Sequence, residues 1–212
     1  MSPDGGGASG PDRSPGITYQ QLLDTDTKPV PDVLRLESPG AMGDADVDVA
    51  RYTSRAWHDR EAERLWPHVW QFACRESDIP EVGDHVLYEI VRDSYIVMRT
   101  AADEIKAYPN ACLHRGRKLK DHAGRCSEIR CAFHGYAWNL DGSLKHIPAR
   151  WDFDHVRDDE FTLPECQVGT WAGFVMINPD PAAEPLGAFL GDVVDHFAAW
   201  DLADRYTQAH VA

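Results

Sequence analysis

The sequence predicts a mainly β fold with some α-helix, built on antiparallel strands. Two observations carry that expectation. Between Ile79 and Tyr108, short apolar runs alternate with polar residues and are separated by close turn signals, the pattern of half-buried strands. One stretch with helical spacing precedes them, and two short loops carrying Cys, His and Gly follow.

The whole-chain properties narrow the field. A chain of 212 residues accommodates one domain, or one domain and part of a second. With 43% hydrophobic residues and seven Trp it can bury a sizeable core. A formal net charge of −14 argues against nucleic acid or an anionic membrane as partner. The most apolar stretch, Ala172 to Ile177, falls far short of a membrane span of about 18 residues. The N-terminus lacks a basic start followed by an apolar core, so no secretory signal is expected and the reading is cytoplasmic. Five Cys is an odd count that does not suggest a disulfide scaffold, and Cys74, Cys126 and Cys166 read as buried or inert thiols.

Residues 1–16, rich in Gly, Pro, Ser and Asp, read as a disordered lead-in. Residues 17–51 form an arm and linker: a short apolar patch (Ile17, Tyr19, Leu22, Leu23), one helical turn, an extended stretch after Pro29 and Pro31, then a linker over Pro39 to Val49. A helix is expected over Tyr52 to Trp70, capped by Ser54 and ended or kinked by Pro67. Trp57, Leu65, Trp66, Val69 and Trp70 would share much of one face. Val86, Tyr88 and Ile90 alternate with His85, Leu87 and Glu89 in a first strand, and Tyr95 to Arg99 forms a second after a turn at Asp93-Ser94. Ile105 to Tyr108 is a third, beyond a polar turn at Ala102 to Glu104. Glu128 to Phe133 and Ala137 to Leu140 suggest a hairpin, with a turn at Asp141-Gly142. Val168 to Ile177 reads as one apolar strand and Pro185 to Trp200 as a helix.

The chemistry concentrates between Tyr108 and Trp151. Cys112-Leu113-His114-Arg115-Gly116 and Cys131-Ala132-Phe133-His134-Gly135-Tyr136 each supply one thiolate and one imidazole, with sixteen residues between His114 and Cys131. Two Cys on one iron and two His on the other is the ligand set of a Rieske [2Fe–2S] centre. Two thiolates neutralise the oxidised diferric core where four would leave it anionic, one reason why His ligation raises the reduction potential. Gly116 and Gly135 permit unusual backbone angles and let N–H groups approach sulfur. A Cys2His2 zinc site accepts the same ligand types. Zinc sites usually pair Cys with Cys and His with His within each half, so the iron–sulfur reading is preferred.

With these motifs continuing through Ala137-Trp138 to Gly142, the sequence resembles the Rieske domain of ring-hydroxylating oxygenase α subunits. Tyr52-Thr53-Ser54 with the Trp-rich helix and Asp78-Ile79-Pro80-Glu81-Val82-Gly83-Asp84 resemble the entry to that domain. Trp171-Ala172-Gly173-Phe174-Val175-Met176-Ile177-Asn178 resembles the strand where the family's catalytic domain begins. The resemblance runs from about Ile17 to the end; Ala132 departs from it, standing where the family often has Pro. It implies a Rieske-type domain over 52–165 and, over 166–212, the beginning of an α+β catalytic domain. It also implies a [2Fe–2S] cluster held by Cys112, His114, Cys131 and His134. Cytochrome-complex Rieske proteins carry an extra Cys in each loop, and here Arg117 and Phe133 stand at those places, so the lower-potential oxygenase type is expected.

The family passes electrons to a mononuclear Fe(II) held by two His and a carboxylate. After Val168 the sequence has only His196 and His210, with no His-x4-His pair, and Asp192, Asp195, Asp201 and Asp204 read as helix-surface charges. The expectation is therefore an electron-relay part of a mono- or dioxygenase α subunit, with no catalytic residue of its own. A stand-alone Rieske ferredoxin is the alternative. The implied partners are a ferredoxin or flavin reductase as donor and, through the full-length subunit, further copies in a homotrimer. The basic run Arg115, Arg117, Lys118 and Lys120 is a candidate docking spot for an acidic partner, whereas His122, His146 and His155 read as surface histidines.

Overall fold

The computed structural model describes residues 18–35 and 46–209. The lead-in expected over 1–16, Ile17, and residues 39–45 of the expected linker lie outside them. The chain divides into two compact units, Met1–Asp44 and Ala45–Ala212. In the first, helix α1 (Tyr19–Leu23) begins at a capping box in which the Thr18 hydroxyl accepts the Gln21 N–H and the Gln21 side chain accepts the Thr18 N–H. A 3-10 turn at Asp32–Arg35 follows, and Arg35 pairs with Asp24 at 2.7 Å.

The second unit opens with helices α2 (Ala50–Thr53) and α3 (Arg55–Arg64) in place of the single helix expected to Trp70. Ser54 stands between them in extended conformation and caps α3, its hydroxyl accepting the Trp57 N–H at 3.4 Å. Pro67, lacking an N–H, limits the continuation to a 3-10 turn at Trp66–His68. The five-residue apolar face therefore does not form. The guanidinium groups of Arg51 and Arg60 both lie over the Trp57 ring, at 5.3 and 4.4 Å from its centroid. Trp70 is buried ahead of the first strand and donates its indole N–H to the Glu184 carbonyl at 2.9 Å.

Among the described residues, ten strands form three antiparallel sheets. The central one has the order β4-β3-β2-β5, from β2 (Asp84–Ile90), β3 (Asp93–Ala101), β4 (Glu104–Pro109) and β5 (Gly124–Arg125). A second is β1-β10-β9, from β1 (Gln71–Arg75), β9 (Gln167–Trp171) and β10 (Phe174–Asn178). The third is β6-β7-β8, from β6 (Ile129–Arg130), β7 (Ala137–Trp138) and β8 (Leu144–His146).

The central sheet is buried on both faces, which is why Tyr95 to Met98 is an unbroken apolar run. Tyr95 and Val97 enter one core with Cys74, Ile79, Val175 and Ile177 from around the β1-β10-β9 sheet. Ile96 and Met98 enter another with Tyr108, Ile129, Trp138, Ile147 and Leu163. That requirement also fixes the β2–β3 turn. It lies at Val91-Arg92, with Ile90 opposite Asp93, and not at the expected Asp93-Ser94. The observed register sets Val86 opposite Val97 and Leu87 opposite Ile96. A turn two residues later would place Glu89 and Arg92 against the apolar run. Val91 accepts a φ of 55° as a consequence.

The single strand expected over Val168 to Ile177 is a hairpin, β9–β10, turning at Ala172-Gly173, where both residues have positive φ. The division expected at 165/166 falls beside a hydrogen bond from the Cys166 N–H to the Ala107 carbonyl, and β10 pairs with β1. The helix expected from Pro185 to Trp200 is interrupted at Gly191, leaving α4 (Leu186–Leu190), α5 (Val193–His196) and a 3-10 turn at Ala198–Trp200. Among the described residues no helix is long and apolar enough to cross a membrane.

Candidate metal centre

The two Cys/His loops leave the ends of different sheets and meet over one core. The first follows β4 and precedes β5; the second joins β6 to β7. They share one backbone pattern. The Cys112 N–H donates to the Arg117 carbonyl at 2.8 Å, and the Cys112 carbonyl accepts the Gly116 N–H at 2.8 Å. In the second loop the Cys131 N–H donates to the Tyr136 carbonyl at 2.8 Å, and the Cys131 carbonyl accepts the Gly135 N–H at 3.1 Å. In both, the glycine four residues after Cys closes the turn at positive φ, 70° at Gly116 and 81° at Gly135.

This backbone divides the four predicted residues into an inner pair and an outer pair. Cys112 and Cys131 are buried, 4% and 2% exposed, and belong to one core cluster. His114 is half-buried and His134 exposed, with ring centroids 4.8 Å apart and planes at 72°. Burial pushes the Cys112 thiol up, and the neighbouring Cys131 adds to that. The backbone N–H groups of His114 and Arg115, aimed at the sulfur, act in the opposite direction. Burial, then His134 and Arg115, lowers the His114 pKa. Among the described residues no three His, Cys, Asp or Glu side chains gather as they would about a single ion.

Several supporting residues were not singled out from sequence. Asn110, buried at the end of β4, clasps the first loop: Oδ1 accepts the Leu119 and Lys120 N–H groups, each at 2.9 Å. Its Nδ2 donates to the Lys120 carbonyl at 2.8 Å and to the Ser94 hydroxyl at 3.1 Å. An Asn directly after an apolar strand is a weak turn signal that could have indicated this. Tyr136 stacks on His114 at 4.7 Å with planes 10° apart, and rests on Phe153, Phe161 and Trp138. Arg130 braces the second loop through the Gly135 carbonyl at 2.9 Å and pairs with Glu128, which also holds Lys145.

The basic run is not a free cationic patch. Arg117 pairs with Asp121 at 3.0 Å and Lys118 with Glu89 at 2.5 Å, while Lys120 reaches the Glu128 carbonyl. Arg115 lies over Phe133, which stacks on His134. His122, His146 and His155 are exposed, as are Asp192, Asp195, Asp201 and Asp204. His210 lies outside the described residues.

Comparison with known proteins converges on the same segment. Residues 69–157 match the model of the Rieske [2Fe-2S] domain family. The chain is 34% identical over 144 residues to the anthranilate 1,2-dioxygenase large subunit of Acinetobacter baylyi, covering 66% of this chain and 31% of that subunit. It is 28% identical over 155 residues to the biphenyl 2,3-dioxygenase subunit alpha of Rhodococcus jostii, covering 71% and 34%. Its fold superposes on naphthalene 1,2-dioxygenase from Rhodococcus sp. with a TM-score of 0.66 and 34% identity, over 70% of this chain and 34% of that one. The chain thus spans about a third of the length of the curated relatives it matches.

Proposed function

We propose, from the premise that this chain carries a Rieske [2Fe–2S] domain like that in the N-terminal part of ring-hydroxylating oxygenase α subunits, that Cys112, His114, Cys131 and His134 hold the cluster and that the chain relays electrons. The observation that supports it best is the division into a buried thiol pair and a rim imidazole pair on two loops of identical hydrogen-bond pattern. A tetrahedral zinc ion needs four donors about one point, whereas two adjacent irons need two donors each. When bound, the cluster supplies a one-electron couple whose potential is raised by imidazole ligation.

The rest of the work falls to the chain. The cores beneath Cys112 and Cys131 keep water from the thiolates, and the N–H groups of His114 and Arg115 offset their charge. Tyr136 fixes the His114 ring, leaving both imidazole edges toward the surface where electron donor and acceptor meet. The donor is a ferredoxin or flavin reductase and the acceptor a mononuclear iron held by a longer parent subunit, in a homotrimer. Oxygenation of a ring or a related apolar substrate, mono- or di-, would take place there and not at these loops.

Iron and acid-labile sulfide analysis with EPR of the dithionite-reduced protein tests the reading. Two irons and two sulfides per chain with a rhombic signal support it; a colourless protein binding one zinc sinks it.

A further inference from the structure

A second thiol site lies between β2 and β5, apart from the cluster loops. His85 on β2 is 4% exposed, and its Nε2 is one of two buried side-chain polar atoms left without a partner among the described residues. Its other ring nitrogen, Nδ1, lies 3.9 Å from Cys126 Sγ and 3.3 Å from the Gly83 carbonyl. The backbone locks this arrangement. Cys126 donates its N–H to the Gly83 carbonyl at 3.0 Å, and a Cβ on Gly83 would lie 2.1 Å from the Cys126 carbonyl oxygen. Lys120, whose ammonium group reaches the Glu128 carbonyl at 3.5 Å, is a nearby cation that favours ionisation of the same sulfur. Cys126 is partly exposed, unlike Cys74 and Cys166.

A thiol that meets an imidazole and an ammonium has the surroundings of a reactive cysteine and not of an inert one. Burial opposes its ionisation, yet the hydrogen bonds from His85 and Lys120 outweigh burial and hold the Cys126 pKa below the ordinary thiol value. In Cys74 and Cys166 burial dominates and pushes the thiol up to about 12.

We propose that Cys126, with His85 and Lys120, is a modification site at which a hydroperoxide reversibly oxidises the thiol. The Cys126 thiolate attacks the terminal peroxide oxygen; an S–O bond forms as the O–O bond breaks. The thiol's proton neutralises the departing hydroxide or alkoxide, so that with hydrogen peroxide the products are a sulfenic acid and water. Two molecules of a small thiol reverse the step, giving the thiol, a disulfide and water. Lys120 ties the site to the first ligand loop, because Asn110 holds both its N–H and its carbonyl. This inference is independent of which metal the neighbouring loops hold.

The test treats the protein, loaded with its cluster, with hydrogen peroxide in the presence of a sulfenic-acid-trapping diketone, and follows each Cys by mass spectrometry. Cys126 is expected to label at least tenfold faster than Cys74 and Cys166. A merely more accessible thiol would also lead, but at a rate that neither His85→Asn nor Lys120→Met changes. At least one of these variants is expected to slow Cys126 labelling fivefold or more while circular dichroism stays that of the parent. Lys120→Met serves if His85→Asn fails to fold. Labelling of Cys126 no faster than of Cys74 and Cys166, or both folded variants at the parent rate, overturns the proposal.

Discussion

Replacing Asn110 by Ala isolates the contribution of the clasp beneath the first ligand loop. The side chain makes four hydrogen bonds, two accepted from the Leu119 and Lys120 N–H groups and two donated to Lys120 and Ser94. Its own position is 4% exposed, and Leu119 is equally buried. Water therefore cannot readily replace the lost partners. At about 1 kcal/mol per bond, the Ala variant loses roughly 4 kcal/mol, a large share of a typical domain stability of about 5–15 kcal/mol. Asn110→Asp keeps both acceptor contacts but turns an acceptor toward the Lys120 carbonyl, and should cost about half as much. Urea unfolding followed by circular dichroism, with iron content measured across the transition, gives both values. Iron should be lost at lower urea in the Ala variant than in the Asp variant. An Asn110→Ala midpoint equivalent to less than about 0.5 kcal/mol from the parent would refute the reasoning, since buried N–H groups cannot lose partners at no cost.

Three further outcomes follow from the same geometry. Gly116→Ala meets no atom within 4 Å and carries only the strain of its positive φ, about 1–2 kcal/mol, whereas Gly83→Ala drives a Cβ into the Cys126 carbonyl and should prevent soluble expression; similar yields and melting temperatures for the two would contradict this. Exchanging His114 and His134 together for Cys should lower the reduction potential by roughly 0.2 V or more, read by EPR-monitored titration, and an unchanged potential would remove these imidazoles from the ligand set. Arg130, then Lys145, holds the Glu128 pKa down at about 2 from an ordinary 4.5; a depressed folded pKa stabilises above the unfolded value and is lost as pH falls through the folded one. Glu128→Gln should therefore lose the part of acid destabilisation that lies between about pH 4.5 and 2, measured as melting temperature against pH, and parallel profiles for the two proteins would contradict it.

How much was legible in advance depended on the range of the interactions involved. The meander β2–β3–β4 declared itself because its short alternating or apolar runs are set off by local turn signals, and the ligand residues declared themselves because each loop holds its Cys, His and Gly within five residues. Strand β1 did not, because Gln71–Arg75 is short and is a strand only by virtue of pairing with β10, whose Ile177 lies opposite Gln71. The β9–β10 turn was hidden because Trp171-Ala172-Gly173-Phe174 keeps an apolar run intact across a reversal that positive φ alone makes possible. The long helix expected to Trp70 failed because its apolar count was right but Ser54 and Pro67 cut the backbone. Asn110 and His85 were illegible for a related reason: the partners that give each its role come from other strands and loops.

The site itself shows why two loops of one design need not carry the same spacing. Each folds identically from its Cys to the glycine four residues later, so positions two and three beyond the Cys face different directions in both. Were the imidazole at the same step in each loop, the two rings would bear the same relation to their own thiols. The chain instead sets His114 two residues after Cys112 and His134 three after Cys131. With that offset the rings converge to 4.8 Å while both thiols stay together in the core. Tyr136, the residue that closes the second loop, stacks on the imidazole of the first, so the second loop supplies part of the first's support. Shifting either histidine by one residue would keep every backbone hydrogen bond and break the pairing of the rings.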